Sequence, residues 1–348
     1  MEAIRTVIYV DDLMLGGVER VLYYLCREMS SDEHEICLIT LFGEGDYYPY
    51  FHDLPIRLEN LALPNVGYIK GLMHTFKFLR EFAPQNVICF REGSRALIPF
   101  WAKLAGVPNI CLRWDNARKS RMKVRFLEWG QRFFVDKFSS CSDYVSHSLE
   151  KRGVKNVHSI ENGVPEFERN EKKLDTTKLI SIGNLKKCKN HSDQLKMVKI
   201  LRDKGIDVSL QIVGTGPLEE FLRKQIASLD LQEFVKLEGR KENISSYLET
   251  GGIFISTSVD EGFGLALVEA MSAGLESAVY PLPSFKEIDG GEGILHFSET
   301  SSPEALAAVV EGLIDKNGKE INQNAILRVR SQFNLSRMVE SFEKILIS

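Results

Sequence analysis

Residues 259–274 read VDEGFGLALVEAMSAG, with Glu261 in a glycine-flanked loop and Glu269 eight positions further on. The apolar run Ile253–Ser258 just before it predicts a buried strand that ends in hydroxyl residues. The order is strand, glycine turn, then a helix with a carboxylate one to two turns in. A helix N-terminus at such a turn offers free backbone N–H groups to an anion. Two carboxylates beside an anion site make electrostatic sense when they accept hydrogen bonds from neutral hydroxyls. A ligand carrying both phosphate and hydroxyls, such as a sugar nucleotide, fits that combination.

The chain has 348 residues, room for two domains at about 100–200 residues each. A net charge of −4 gives no global pull toward nucleic acid, and none is expected as a partner. The six cysteines form no C-x-x-C pair, and most lie in apolar runs. They read as structural thiols in a reducing compartment rather than as a disulfide framework or zinc site. The opening residues lack a signal-peptide h-region, and no apolar run reaches about 20 residues, so a cytoplasmic protein without a membrane span is expected.

Strand and helix patterns alternate along the first half, which argues for a parallel sheet. Ile4–Val10 is a strand and Val18–Met29 a helix, with Gly16 and Gly17 in the turn between them. Ligands of such sheets bind beyond the carboxyl ends of the strands. Two strand ends there carry charge: Arg91 to Ser94 after Phe90, with a helix from Arg95, and Arg113 to Asn116, including Asp115, after Leu112. Each reads equally as chemistry or as a solvated loop. Arg118–Phe138 interleaves basic and aromatic residues. Its basic part, Arg118–Arg125, suits an anionic membrane surface or acceptor, whereas Phe133 and Phe134 suit a helix that covers the sheet. The polar stretch Pro165–Thr177 marks a domain boundary.

The second half repeats the alternation. A strand, Lys178–Ile182, runs into Gly183-Asn184 and on to Lys189 at a helix entrance, where an ammonium meets a phosphate or simply faces water. Asp207–Val213 leads into Gly214-Thr215-Gly216-Pro217. Pro281–Gly291 reads as a loop, and Ile321–Ser348 as one amphipathic helix. No D-x-D, no metal-ligand spacing, no G-x-S-x-G, no Walker lysine and no dinucleotide fingerprint occurs. No metal and no cofactor is therefore expected.

Five short motifs stand in register: Gly16 to Arg20, Glu161 to Val164, Ser181 to Leu185 with Lys189, Val213 to Pro217, and Glu261 to Gly264 through Glu269 to Gly274. Together they resemble the retaining group 1 glycosyltransferases of GT-B fold, marked by E-x7-E, over nearly the whole chain. The resemblance implies two Rossmann-like, doubly wound α/β domains facing an interdomain cleft. Residues 1–165 would form the acceptor side, 166–177 a linker, 178–325 the nucleotide-sugar domain, and 326–348 a helix packing back toward the first domain. It implies metal-independent transfer of a hexose or N-acetylhexosamine from a nucleotide sugar, UDP-linked rather than GDP-linked. The acceptor would be a glycan, lipid-linked, in bacterial surface polysaccharide synthesis, with peripheral contact to the inner face of the plasma membrane through Arg118–Arg125.

The same resemblance assigns roles. Glu261 would accept hydrogen bonds from donor-sugar hydroxyls, and Lys189 would neutralise the leaving diphosphate. Phe263, Gly264 and Leu265 would present backbone amides, and Glu269 would hold the ribose. Gly16, Gly17, Gly183 and Gly214 would line the donor. Asn184 stands where the family carries a second cation, which Arg91 or Arg113 would replace. Arg113-Trp114-Asp115-Asn116 stands where many members have a histidine, and Arg91, Arg113, Asp115 and Asn116 are the acceptor or diphosphate candidates. Gly274-Leu275-Glu276 replaces the usual Gly-Leu-Pro. Two rival readings are a catalytically silent GT-B binding protein and a sugar-nucleotide epimerase.

Overall fold

A computed structural model describes residues 3–14, 16–31, 33–117, 129–169, 173–241, 243–315 and 319–347. The chain divides into two compact units, Met1–Gly163 with Leu335–Ser348, and Val164–Asn334.

The first unit is built on a parallel sheet of seven strands: β1 Ile4–Val10, β2 His34–Thr40, β3 Arg57–Asn60, β4 Asn86–Cys89, β5 Asn109–Trp114, β6 Lys137–Ser140 and β7 Val157–Ser159. Their order is β3-β2-β1-β4-β5-β6-β7. The order reverses between β1 and β4, which pair directly from Thr6↔Asn86 to Tyr9↔Cys89. A crevice opens beyond the strand ends at such a reversal, and ligands of open parallel sheets bind there. The central strands are apolar almost throughout because both faces are covered.

Helices α1 (Gly17–Met29), α2 (Leu63–Val66), α3 (Tyr68–Phe82), α4 (Arg91–Ala105) and α5 (Asp143–Glu150) connect them. Helix α4 starts four residues earlier than its pattern suggests. Asp11, at the end of β1, accepts hydrogen bonds from the Gly93 and Ser94 backbone N–H groups at 2.9 and 2.7 Å. A cap supplied from a residue 82 positions away leaves no local signature.

The second unit carries a six-stranded parallel sheet in the order β11-β10-β9-β12-β13-β14. After a short strand β8 at Lys173–Leu174, its strands are β9 Lys178–Ile182, β10 Ser209–Val213, β11 Val235–Gly239, β12 Ile253–Ser256, β13 Glu276–Val279 and β14 His296–Phe297. Here the reversal lies between β9 and β12. A strand β15, Lys319–Glu320, pairs antiparallel with β8.

Its helices are α6 His191–Asp203, α7 Glu219–Ser228, α8 Ser245–Thr250, α9 Leu265–Ser272, α10 Pro283–Asp289, α11 Pro303–Leu313 and α12 Gln323–Gln332. The stretch expected as a loop contains α10. Pro283 enters its first turn, where its missing N–H costs nothing, and Gly290 ends it at φ 66°.

The C-terminal region holds two helices, not one. Helix α12 stops at Phe333, whose N–H reaches Val329 O, and the Asn334 side chain takes up the Arg330 carbonyl at 2.7 Å. Helix α13, Leu335–Ile347, then belongs to the first unit and packs on α1.

The described residues of the polar stretch after residue 165 belong to the second unit. Phe167 N donates to Ser272 Oγ at 3.1 Å, Arg169 to the Leu248 carbonyl at 2.8 Å, and Thr176 Oγ1 to the Asp315 carbonyl at 3.1 Å. Its polarity reflects backbone bonds rather than lack of structure.

Candidate active site

In the second unit the ends of β9 and β12 meet around one ion pair. The Lys189 ammonium donates to Glu261 Oε1, and the Ser258 hydroxyl donates to the same oxygen at 3.0 Å. Both residues line a cavity of about 20 Å³ together with Ser181, His191, Gln194 and Gly264. That is room for roughly one water molecule. The two loops are tied by their backbones: Val259 N donates to Cys188 O at 2.8 Å, and Thr257 Oγ1 donates to Asn190 O at 2.9 Å. Ser284 of α10 donates to the Glu261 carbonyl at 3.0 Å.

Glycines make this approach possible. Gly214 has φ 145°, and a Cβ there would lie 2.1 Å from the Gly183 carbonyl oxygen. No side chain fits that gap. Gly183 in turn leaves the space that the Lys189 stem fills, its Cε 3.3 Å from a built Cβ. Gly264, at φ 119°, precedes Leu265, the first residue of α9. Phe263 is buried against the Phe333 ring at 5.6 Å, which leaves its backbone as the part that can serve a ligand. Glu269 is buried in the second turn of α9. Asn184 is half-buried beside Gly183 and does not line the cavity.

In the first unit the ends of β1 and β4 hold a second ion pair. Arg91, the first residue of α4 and left-handed at φ 68°, donates to Glu19 Oε1. Glu19 has no exposed surface, whereas the Arg91 side chain is 40% exposed. Burial pushes the Glu19 carboxyl up, and Arg91 pulls against that. A Cβ on Gly16 would approach Glu19 Oε2 to 2.6 Å, so the glycine ahead of α1 makes room for the carboxylate. Burial likewise raises Asp11, opposed by the Gly93 and Ser94 N–H groups. Asp11, Val18, Arg91, Glu92, Arg95, Asp115 and Asn116 surround a cavity of about 240 Å³.

Arg113 turns inward instead. It is fully buried, and it donates to Asp115 Oδ1 at 3.2 Å, to the Ser140 carbonyl at 2.8 Å and to Asn162 Oδ1 at 2.8 Å, with its face 5.2 Å from the Phe342 ring. A guanidinium committed in this way joins β5, β6 and α13, and it does not face the cavity that Asp115 and Asn116 line. Its burial follows from its place within β5, one residue before the strand ends.

Two family models match in tandem, "Glycosyl transferases group 1" over residues 165–330 and "Glycosyltransferase Family 4" over residues 15–166. The chain belongs to the group 1 glycosyltransferases. The family is retaining and metal-independent. An uncharacterized glycosyltransferase of Haemophilus influenzae is 27% identical over 95% of this chain and 96% of its own length. The amylovoran biosynthesis glycosyltransferase AmsD of Erwinia amylovora is 22% identical over 76% of this chain and 77% of its own length. The crystal structure of Anabaena HepE in complex with UDP and glucose superposes with a TM-score of 0.85 at 15% identity, over 99% of this chain and all of the other. That likeness establishes the GT-B fold.

In this glycosyltransferase, Lys189, Glu261, Gly183, Gly214, Gly264 and Leu265 gather at one strand-order reversal, and Arg91, Asp115, Asn116 and Gly16 at the other. Residues 118–128, which hold Arg118–Arg125, lie outside the described residues. Three participants carry no signal of their own in the sequence. His191 is buried, its Nδ1 3.2 Å from Gln194 Oε1, and its Nε2 has no partner among the described residues. Burial pushes its pKa down, so it is neutral at pH 7. Gln194 Nε2 donates to Ser181 Oγ at 2.9 Å. Asp11 is the third: a carboxylate after a strand is common, and only the pairing of β1 with β4 reveals the helix it caps. Among the described residues no helix is long and apolar enough to cross a membrane.

Proposed function

We propose that the enzyme transfers a hexose or N-acetylhexosamine from a UDP-sugar to a lipid-linked glycan acceptor in the synthesis of a bacterial surface polysaccharide. The observation that carries the donor half is the Lys189–Glu261 pair on a glycine-cleared floor at the β9/β12 reversal. A cation and a hydroxyl-accepting carboxylate side by side match the two ends of a sugar diphosphate bond. The UDP complex of HepE and the polysaccharide role in the AmsD name support the choice of nucleotide and pathway class.

In this reading Lys189 turns from Glu261 to the diphosphate, and Glu261 accepts the sugar hydroxyls it is then free to meet. Backbone N–H groups from Phe263 to Leu265, at the start of α9, face the donor, Glu269 holds the ribose, and Asn184 contacts the diphosphate as a neutral donor. Gly16 and Gly17 let the first unit's backbone approach the diphosphate, and Arg91, Asp115 and Asn116 receive the acceptor. The bond from the anomeric carbon to the leaving phosphate breaks, and the acceptor oxygen attacks the same face. The departing phosphate oxygen takes the acceptor proton, so configuration is retained. The protein acts by positioning and by preorganised charge.

Calorimetry with UDP and GDP, followed by assay of UDP released from a panel of UDP-sugars, tests the reading. Binding of UDP in preference to GDP, with slow UDP release in the absence of acceptor, is expected. A protein that binds no nucleotide would sink it.

A further inference from the structure

Helix α6 does not start with the cap its sequence offers. In Asn190-His191-Ser192-Asp193 an extended asparagine could accept from the third helical N–H, with the acid reaching back. That cap is not formed. Asn190 is left-handed instead, at φ 51° and ψ 41°. Asparagine enters this region more readily than most residues, but it stays there only where its surroundings over-determine it.

The surroundings here are one carboxylate. Asn190 Nδ2 donates to Asp193 Oδ2 at 2.6 Å, and the Asp193 N–H donates to the Asn190 carbonyl at 3.0 Å. Tyr280, the residue after β13, donates its hydroxyl to the same Oδ2 at 3.0 Å. Tyr280 has no exposed surface, and its N–H extends the β12–β13 pairing by donating to the Ser256 carbonyl at 3.0 Å. Its hydroxyl is therefore fixed by the sheet. Burial, and after it the Asp193 charge, push the phenol pKa up, so the group stays a donor at neutral pH. Lys196 holds only the other oxygen, Oδ1, at 3.2 Å, with about half of its side chain exposed.

The residue just before the left-handed turn is Lys189. Buried Thr257 donates to the Lys189 and Asn190 carbonyls at 3.1 and 2.9 Å. Those bonds fix where the backbone runs, while φ and ψ at Asn190 set the angle between the Lys187–Lys189 turn and α6. With Asn190 left-handed, the Lys189 stem lies over Gly183 and its ammonium reaches Glu261. The extended conformation of an ordinary cap would aim that stem elsewhere. Neither Asp193 nor Tyr280 lines the cavity around the ion pair, so both act through Lys189.

We propose that Asp193 and Tyr280 are positioning residues for the transfer reaction, holding Asn190 left-handed so that Lys189 stays aimed at the leaving diphosphate. The proposal rests on the donor role given to Lys189 in the preceding section.

Steady-state UDP release, from the UDP-sugar that turns over fastest in the donor panel, tests it beside calorimetry with UDP. Asp193→Ala should lower kcat about tenfold, and Tyr280→Phe, which keeps the ring in the core, about threefold. KM and the UDP dissociation constant should move by no more than about twofold, since the lysine acts mainly on developing charge. Adding Asn190→Gly to Asp193→Ala should restore most of the lost kcat, because glycine takes the left-handed conformation without a clamp. A merely structural role would lower the melting temperature and leave kcat unchanged. Lys196→Met, which removes the surface ion pair alone, should keep the parental kcat. Parental kcat in both Asp193→Ala and Tyr280→Phe overturns the proposal, as does a loss that Asn190→Gly fails to reverse. In crystals of Asp193→Ala, Asn190 should leave the left-handed region. An unmoved Asn190 overturns the clamp alone, whereas full turnover by Lys189→Ala overturns the donor reading.

Discussion

Each unit places one ion pair at its own strand-order reversal, and in each the partners are 72 residues apart. In the first unit the acid comes from α1, after β1, and the cation from the start of α4, after β4. In the second the polarity is swapped, with Lys189 after β9 and Glu261 after β12. Exposure separates them. Glu19 is sealed while Arg91 covers it from the cavity side, whereas Lys189 and Glu261 are 24% and 17% exposed and both line a cavity. A sealed carboxylate cannot lose its cation without being stranded in low dielectric. A pair in which both members reach a cavity can separate when a ligand supplies new partners. The same topological position thus holds a strut in one unit and a latch in the other.

Substitution should tell strut from latch. The largest effect is expected for Lys189→Ala, which should lower turnover about 10²–10³-fold, as loss of a group acting on developing charge does. The denaturation midpoint should barely move. A large loss of stability with little loss of turnover would reverse the assignment.

Arg91→Ala should differ by losing stability, in addition to whatever it loses in acceptor binding. Stranding Glu19 should cost about 1–3 kcal/mol in urea denaturation, below the range of about 3–5 kcal/mol for fully buried pairs because Arg91 is partly exposed. Adding Glu19→Gln should restore part of that loss, and strict additivity of the two substitutions would deny their coupling.

Glu269→Ala should weaken UDP binding by about 1–3 kcal/mol, measured calorimetrically. Unchanged affinity would remove it from the donor side.

The smallest effect is a control away from the Lys189–Glu261 pair, at the opposite end of the second unit's sheet, where β13 begins. Burial alone would raise Glu276. The hydrogen bond and charge of His296, with Lys319 and Asn322, hold its carboxyl below the usual range instead. A lowered acid contributes stability above its unfolded value of about 4.3 and loses it as pH falls through the folded value. Glu276→Gln should therefore cost about 1 kcal/mol at pH 7. The difference from the parent protein should shrink toward pH 3, without any change in turnover.

The sequence disclosed the second unit's site more fully than the first's. Glu261, Gly264 and Glu269 sit within nine residues, and Gly183 to Lys189 lie just after one strand, so local spacing carries the pattern. In the first unit the partners are scattered. Asp11 caps a helix 82 residues on, and Glu19 finds Arg91 only because β1 and β4 are neighbours. Arg113 shows the converse error. A charged residue near a strand end looks available, yet its burial depends on Asn162 and Phe342, from distant parts of the chain. Fold class was legible because the strand–helix alternation repeats. Helix ends were less so where the cap comes from another element.

The helix break at Phe333–Asn334 makes the first unit discontinuous in sequence. The second unit is one uninterrupted segment and is complete at Asn334. The first lacks Met338, Phe342 and the cover they place on α1, Phe90 and Arg113 until helix α13 is made. During synthesis the N-terminal half must therefore wait, with its apolar surface incomplete, while the later half can already close. A stop between Asn334 and Met338 would spare the neighbouring fold and damage the one begun first.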